Sequence, residues 1–164
     1  MANSRVFTGA DGSLTLSAAQ GTEGEKAQDV LTAYELIAVG RVQNVRVEVI
    51  SDIRPFHEIG QRYATELRAG NINIRGTIGR AYINGAMLKL LLGEAADSRP
   101  ASSFVQPTFN ITLLAENTAV PGVRSTITLH DVKIGNWVYA IPEDDFLMEE
   151  VNFQALYLSV EDEA

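Results

Sequence analysis

Alternation of apolar and polar residues with a period of two is the feature that most constrains this fold. Val45, Val47 and Val49 share one face of an extended segment at residues 33–53, and charged residues lie between them. The same alternation recurs near the end of the chain, at residues 149–160. Successive side chains of a β-strand point to opposite faces, so both segments are predicted strands, and both are longer than average.

Shorter segments with the same alternation are separated by residues that favour turns. The additional predicted strands are residues 4–8, 13–17, 71–82, 108–115, 123–132 and 137–141. Turns are predicted at residues 9–12, at Val120-Pro121-Gly122 and at Gly135-Asn136. We therefore predict a mainly β fold, an antiparallel β-sandwich or small barrel with one short α-helix packed against it.

The predicted helix lies between Asn84 and Gly93, in the sequence GAMLKLLL. Asparagine accepts hydrogen bonds at helix N-termini, and glycine readily adopts the left-handed conformation at C-termini. Lys89 is the one obviously polar position. A helix this short is not stable alone, so it is predicted to plug the core.

A polar segment, AAQGTEGEKAQ, interrupts the alternation at residues 18–28. It contains two glycines and has no usable period, so it is predicted to be a loop. With 164 residues the chain is predicted to form one domain, residues 1–164. No cysteine occurs and no apolar run reaches about 18 residues, so neither a disulfide nor a membrane-spanning helix is predicted.

Charge is distributed unevenly along the chain, whose net charge is −8. Arginines are concentrated between residues 41 and 80, whereas residues 142–164 contain many acids and no lysine or arginine. This acidic C-terminal end is either a solvated surface that maintains solubility or one side of a two-faced subunit whose arginines meet a neighbour's acids. The acidic total argues against tight binding of nucleic acid.

No set of reacting groups is visible in the sequence. His57 and His130 are each followed by a carboxylate, which on a strand points to the opposite face. Motifs of serine hydrolases, zinc proteases and phosphate-binding loops are absent. We predict that the protein is not an enzyme and has no catalytic, cofactor-binding or metal-binding residues. A carbohydrate-binding module that uses Trp137 and Tyr139 as a stacking platform is one alternative. A small hydrolase whose site is assembled from residues distant in the sequence is another.

Two motifs resemble those of bacteriophage tail tube proteins. Residues 56–93 read FHEIGQRYATELRAGNINIRGTIGRAYINGAMLKLLLG, in which a strand leads into a leucine-rich helix. Residues 142–162 read PEDDFLMEEVNFQALYLSVED and include the pattern E-x-V-x-F-x-A. The resemblance implies a β-sandwich or barrel subunit that forms hexameric rings, which stack into the tube that conducts DNA. The type VI secretion tube, the haemolysin-coregulated protein, is similar in fold to that family.

The resemblance also implies partners and a location. The partners are other copies of the chain and, in a tail, the sheath, baseplate and tail terminator proteins. DNA would pass without specific binding through an acidic lumen, no membrane is involved, and the protein would be assembled in the host cytoplasm into the virion tail. The tube of a phage-derived contractile injection or type VI secretion-like device is the alternative within the same class.

Subunit contacts are predicted from the charge distribution and from the resemblance together. The polar segment at residues 18–28 would reach an adjacent ring, and long strands would supply edges for lateral contacts. The predicted subunit-contact residues are Gly21, Glu23, Glu25, Lys26, Arg46, Arg75, Arg80, Glu149 and Glu150.

Overall fold

The computed structural model describes residues 5–100, 104–120 and 122–163. In chain order the strands and helices are β1 (Gly12–Ala18), α1 (Gly21–Ala33), β2 (Val42–Phe56), β3 (Glu66–Ala81), α2 (Ala86–Leu92), β4 (Phe109–Glu116), β5 (Arg124–Ala140), β6 (Met148–Ala155) and β7 (Tyr157–Glu163). Short 3-10 turns occupy Gly9–Asp11 and Gly93–Ala96.

The strands form one antiparallel sheet in the order β1-β4-β5-β6-β3-β2, and β7 pairs with β5. The sheet curls into a half-barrel, and the predicted mainly β antiparallel class is confirmed. The core contains β-strand residues such as Leu16, Phe109 and Phe153 together with residues of both helices. The curl therefore lets one sheet supply most of its own core, with helices completing it.

The final predicted strand, residues 149–160, is interrupted at Leu156. Its two halves, β6 and β7, pair with successive parts of β5. The two strands predicted at residues 123–132 and 137–141 are instead the single strand β5, and the turn predicted at Gly135-Asn136 is a shift in register. A bulge keeps the strand continuous while bending it, and local sequence does not distinguish this from a turn.

The prediction of a loop at residues 18–28 is wrong, because α1 begins at Gly21. Its buried residues are Gly24, Ala27 and Leu31, which lie on one face of the helix. Two of the three are small, so the apolar period is hard to recognise in the sequence. The described part of the chain thus contains two α-helices where one was predicted.

The long strand predicted at residues 33–53 begins only at Val42, because Ala33 ends α1. The segment between them covers the outer edge of β1, where the Leu16 N–H donates to the Ile37 carbonyl at 2.7 Å. Residues 5–8 contain no strand, although one was predicted at residues 4–8. Residue 4 lies outside the described residues, as do residues 101–103 and Pro121 of the predicted turn at 120–122.

The predicted short helix is confirmed as α2. The Asn84 side-chain oxygen accepts a hydrogen bond from the Ala86 N–H at 3.1 Å, and Gly93 has a φ of +58° at the C-terminal end. Ala86, Met87 and Leu90 are buried in the core. Among the described residues, no helix is long and apolar enough to cross a membrane.

Candidate subunit-contact surfaces

Arg80 and Glu149, two of the predicted contact residues, form an ion pair in the core. They face each other on adjacent strands, the Arg80 Nε donates to Glu149 Oε1, and each residue is 2% exposed. The other carboxylate oxygen accepts from Trp137 Nε1 at 2.8 Å. The prediction that these side chains contact a neighbouring subunit is wrong, since side-chain alternation points both of them inward.

The aromatic residues considered as a sugar platform pack around this ion pair. The Trp137 ring stacks on Tyr139 with centroids 5.4 Å apart, and Tyr82 contacts Tyr139 edge-on at 4.7 Å. Trp137 is half-buried and its indole N–H is bonded to Glu149. The two rings cover each other's faces instead of lying side by side, which is typical of core packing.

The predicted contact residues Gly21, Glu23, Glu25 and Lys26 all lie in the first turns of α1. Lys26 pairs with Glu94 at 2.7 Å, which ties α1 to the turn after α2. Glu25 is exposed, and Gly21 starts the helix with a φ of +86°. Their role in contacts between rings stays a prediction.

Glu23 makes two contacts within the same chain. Its carboxylate accepts a hydrogen bond from the Thr108 hydroxyl at 2.8 Å and lies 3.0 Å from Lys133 Nζ. The Thr108 hydroxyl, followed by Lys133, lowers the pKa of Glu23 below its ordinary value. The side chain is about half exposed, so water screens much of this effect.

Glu23→Gln is therefore expected to reduce stability slightly, and only when the carboxylate is ionised. A depressed folded-state pKa stabilises the protein above the unfolded pKa, and that stabilisation is lost as the pH falls through the folded pKa. We expect a loss of less than about 1 kcal/mol at pH 7. Thermal unfolding of both proteins checks this. The two melting temperatures are expected to converge as the pH falls through the folded-state pKa, and a difference that stays the same from pH 7 down to the acid limit of folding contradicts a charge-based role.

The solvent-facing side of β2, β3, β6 and the second half of β5 is a polar surface, which we call the polar face. Arg46, Arg75 and Glu150, three of the predicted contact residues, lie on it and are exposed. Arg75 pairs with Glu48 at 3.2 Å across the β2–β3 ladder. A groove of about 1370 Å³ opens beside this face and is lined mainly by polar side chains. Among the described residues, no group of three or more histidines or acids is placed to hold a metal ion.

The sheet has two free strand edges, one on either side of the polar face. β2 is the last strand in the order, so its outer edge pairs with no other described strand. β4 pairs with β5 only as far as Val132, so the same side of β5 beyond that residue pairs with no described strand. The Gln106 side chain donates to the Ile134 carbonyl there at 2.8 Å. Long unpaired edges readily accept a strand from another chain.

Residues 51–73 form a second candidate surface, a two-stranded hairpin that projects from the sheet and that we call the arm. Every residue of the arm is exposed except the half-buried Ala64. β6 flanks β3 only from Ile74 onward, so no described strand lies beside the arm as a third strand. The six β2 residues of the arm, residues 51–56, reach about 20 Å at the usual rise of a strand.

Sequence reasoning missed the arm, because the predicted strands stop at residue 53 and resume at residue 71. The signal that could have revealed the arm is the alternation of apolar and polar residues along both strands of the hairpin. Ile53 lies opposite Ala69 and Pro55 opposite Leu67, which gives the arm one apolar face. The exposed isoleucine, Ile53, and leucine, Leu67, are typical of a surface that another chain covers.

The described residues thus form a curled antiparallel β-sheet with two unpaired edges and a projecting arm. No protein-family model matches the chain, and no curated protein matches its sequence. Solved structures do match its fold, although at low sequence identity.

A chain of the anti-feeding prophage cap, the tube terminating cap, is similar with a TM-score of 0.66 and 10% identity, over 99% of this chain and 95% of that one. A chain of the sheath/tube terminator of the extracellular contractile injection system PVC has a TM-score of 0.65 and 10% identity, over 98% and 99% of the two chains. The SPP1 tail tube has a TM-score of 0.54 and 11% identity, over 96% and 80%. The chain thus has the tail tube fold, which confirms at the level of fold the resemblance that the motifs indicated.

Proposed function

We propose that this protein is a structural subunit of a tail tube, in which copies join edge to edge into rings and the rings stack. The observation that carries the proposal is the pair of unpaired edges on one sheet, β2 on one side and the end of β5 on the other. A contact between two different edges is heterologous, and such contacts generate a closed ring when the rotation between subunits closes.

The directions of the strands support edge-to-edge pairing. Each strand in the series β2, β3, β6 and β5 is antiparallel to its neighbour, so β2 and β5 run in opposite directions. When β2 of one copy meets β5 of the next around a ring axis, the new pair is antiparallel as well. The sheet then continues through the joint with the same hydrogen-bond pattern that it has inside each subunit.

In such a ring, the polar face would line the channel, because the core and both helices lie on the opposite side of the sheet. Its charged residues are Arg46, Glu48, Arg75, Lys133 and Glu150. This is a mixture of both signs and differs from the acidic lumen expected from the net charge. With Arg75 and Lys133 already paired to carboxylates, few cations remain to hold a phosphate backbone.

The proposal also includes the number of subunits per ring, the passage of DNA, the place of assembly and the partner proteins. Six subunits per ring, transient non-specific passage of DNA, assembly in the host cytoplasm and contacts with sheath, baseplate and terminator proteins are consistent with the tail tube fold. We infer a structural role without catalysis and a location in the tail of a virion.

A contractile injection device is a second candidate, favoured by the degree of structural similarity. The TM-scores of 0.65 and 0.66 belong to an extracellular contractile injection system and to the anti-feeding prophage, whereas the SPP1 tail tube reaches 0.54. A sheath protein that copurifies with assembled tubes would favour the device, or a contractile tail, over a non-contractile tail.

Val49→Pro is expected to prevent ring formation while leaving the subunit folded. The Arg46 carbonyl lies 2.2 Å from where a Cβ on Gly76 of β3 would be, so it points toward β3. By alternation, the Val49 N–H points to the free edge, where proline removes a donor without breaking the β2–β3 ladder. Negative-stain electron microscopy and native mass spectrometry would show rings for the natural protein and monomers for the variant.

Val49→Thr is the matched control, because threonine keeps the N–H and the β-branched shape. It is expected to form rings as the natural protein does. Circular dichroism checks that both variants are folded. Rings that form equally well from Val49→Pro would contradict pairing through β2, and a natural protein that stays monomeric at high concentration would contradict the proposed function.

A further inference from the structure

The tip of the arm, residues 57–65, carries two large apolar side chains with almost no contact to their own subunit. Ile59 is fully exposed and Tyr63 is 86% exposed. The tip turns at residues 58–61, where the Gln61 N–H donates to the Glu58 carbonyl and Gly60 has a φ of +88°. The hydrogen bond and the positive φ are those of a β-turn, which reverses the chain at the tip.

The opposite end of the same strands has a complementary surface, which we call the acidic end. It comprises Ile83 and residues 141–147, brought together where the Tyr82 N–H donates to the Leu147 carbonyl at 2.9 Å. Ile141 and Phe146 are 72% and 76% exposed. Beside them are the carboxylates of Glu143, Asp144 and Asp145.

The register places these two surfaces at opposite ends of one sheet. Ala81 of β3 and Ala140 of β5 both pair with Met148, the first residue of β6, next to the acidic end. The arm leaves the sheet at the other end of β2 and β3, beyond Ile74. When copies are stacked in the same orientation along the strands, the tip of one points at the acidic end of the next.

The charges of the two surfaces are complementary. Arg62 lies between Ile59 and Tyr63 in the tip, and no ion pair among the described residues involves it. The three carboxylates of the acidic end are likewise absent from those ion pairs. A protein–protein interface typically has an apolar centre and a polar rim, with charges of opposite sign on the two partners. The two surfaces have these properties.

The arm has few stabilising interactions in the isolated subunit. Arg54 lies directly opposite Arg68, and like charges at opposed positions of a ladder are destabilising. Their nearest carboxylates, Asp52 and Glu66, are on the same strands at 3.3 Å and are half exposed. A two-stranded ribbon is marginally stable in water, so an arm of this length needs an external partner.

We propose that the arm tip docks on the acidic end of a second copy of this chain, with Ile59 and Tyr63 against Phe146 and Ile141 and with Arg62 beside Glu143 and Asp144. The contact joins two different surfaces, so it repeats without closing and builds an open stack. The inference rests on the proposed function, since it describes how the proposed rings are joined along the tube axis.

Disulfide trapping tests the contact directly, because the natural chain contains no cysteine. Tyr63→Cys and Phe146→Cys are made on separate chains, mixed before assembly and oxidised. A disulfide-linked dimer of the two variants is expected at a yield at least about tenfold above that of Tyr63→Cys mixed with Leu156→Cys, because docking raises the effective concentration. Leu156 is 74% exposed and lies on neither surface, so it is a matched control.

Two trapping results would overturn the proposal. One is equal cross-linking to the control position. The other is efficient cross-linking of Tyr63→Cys with itself, which would show that two tips meet each other. Neither result depends on whether rings close, so trapping is informative even for subunits that fail to form rings.

Charge reversal tests the role of Arg62 in assembled tubes. Arg62→Glu is expected to leave rings intact and to shorten the tubes by at least about fivefold in rings per tube, since like charges across an interface repel. Combining it with Glu143→Arg and Asp144→Arg is expected to restore their length. Arg99→Glu, at an exposed position outside the arm, is the control and should give tubes of normal length.

The tube-length result separates this inference from the proposed function. Absence of rings in the natural protein contradicts the proposed function. Normal rings with tubes of normal length from Arg62→Glu contradict the docking of the tip while leaving lateral assembly in place.

Discussion

Glu149→Gln is expected to lower the free energy of unfolding by about 3–5 kcal/mol, because it leaves a buried guanidinium without its counter-charge. Arg80 is 2% exposed, so water cannot replace the lost carboxylate. Glutamine has nearly the same shape and can still accept the Trp137 N–H, so the expected loss comes from the charge. Urea unfolding followed by the fluorescence of Trp137, the single tryptophan, measures the change.

The adjacent residue provides the control for this experiment. Glu150 lies next in the chain but points to the polar face and is exposed, so Glu150→Gln is expected to change stability by less than about 0.5 kcal/mol. The double variant Arg80→Met/Glu149→Leu is expected to be more stable than Glu149→Gln, because it removes both charges from the core. Similar losses from Glu149→Gln and Glu150→Gln would contradict a buried ion pair.

Gly24→Ala is expected to destabilise the protein by about 1–3 kcal/mol or more, the cost of overpacking a tight core. Alanine is normally favoured over glycine within a helix by about 1 kcal/mol, so helix propensity predicts the opposite sign. A Cβ on Gly24 would lie 1.8 Å from the Ala19 carbonyl oxygen and 2.4 Å from its carbon. These are backbone atoms, so α1 or the end of β1 must move to make room.

Gly40→Ala is the matched control, since a Cβ there would contact nothing within 4 Å and the residue has no positive φ. It is expected to be neutral or to stabilise the protein by up to about 1 kcal/mol, because alanine lowers the conformational entropy of the unfolded chain. Thermal or urea unfolding of both variants checks the prediction. A Gly24→Ala protein that is more stable than the natural one would show that α1 does not pack closely on residue 19.

Local pattern was sufficient to predict several elements. β3 and β6 follow the alternation over most of their length, and α2 lies between the predicted Asn84 and Gly93. The motifs at residues 56–93 and 142–162 also indicated the tail tube fold, because they include a strand leading into a short leucine-rich helix and a closing strand. These signals reside in consecutive residues, so no knowledge of distant contacts was needed.

The candidate contact residues were predicted less well, because charge alone does not reveal burial. Arg80 and Arg75 are both arginines on β3, yet one lies in the core and the other on the polar face. Successive side chains of a strand point to opposite faces, so the parity of the spacing decides the face. Arg80 is an even number of residues from the buried Ile74 and Ile78, whereas Arg75 is an odd number from them. That parity was readable in the sequence, whereas the pairing of Arg80 with Glu149 required the register between β3 and β6.

The sequence by itself determined which segments are extended, where the leucine-rich helix begins and ends, and that the chain is acidic with its arginines grouped between residues 41 and 80. These properties depend on neighbouring residues. Only the tertiary structure decided that residues 21–33 form a helix, that β6 and β7 share β5 as their partner, and that no described strand lies beside the arm. Each of these depends on contacts between residues far apart in the chain, where small residues such as Gly24 and Ala27 leave little local signal.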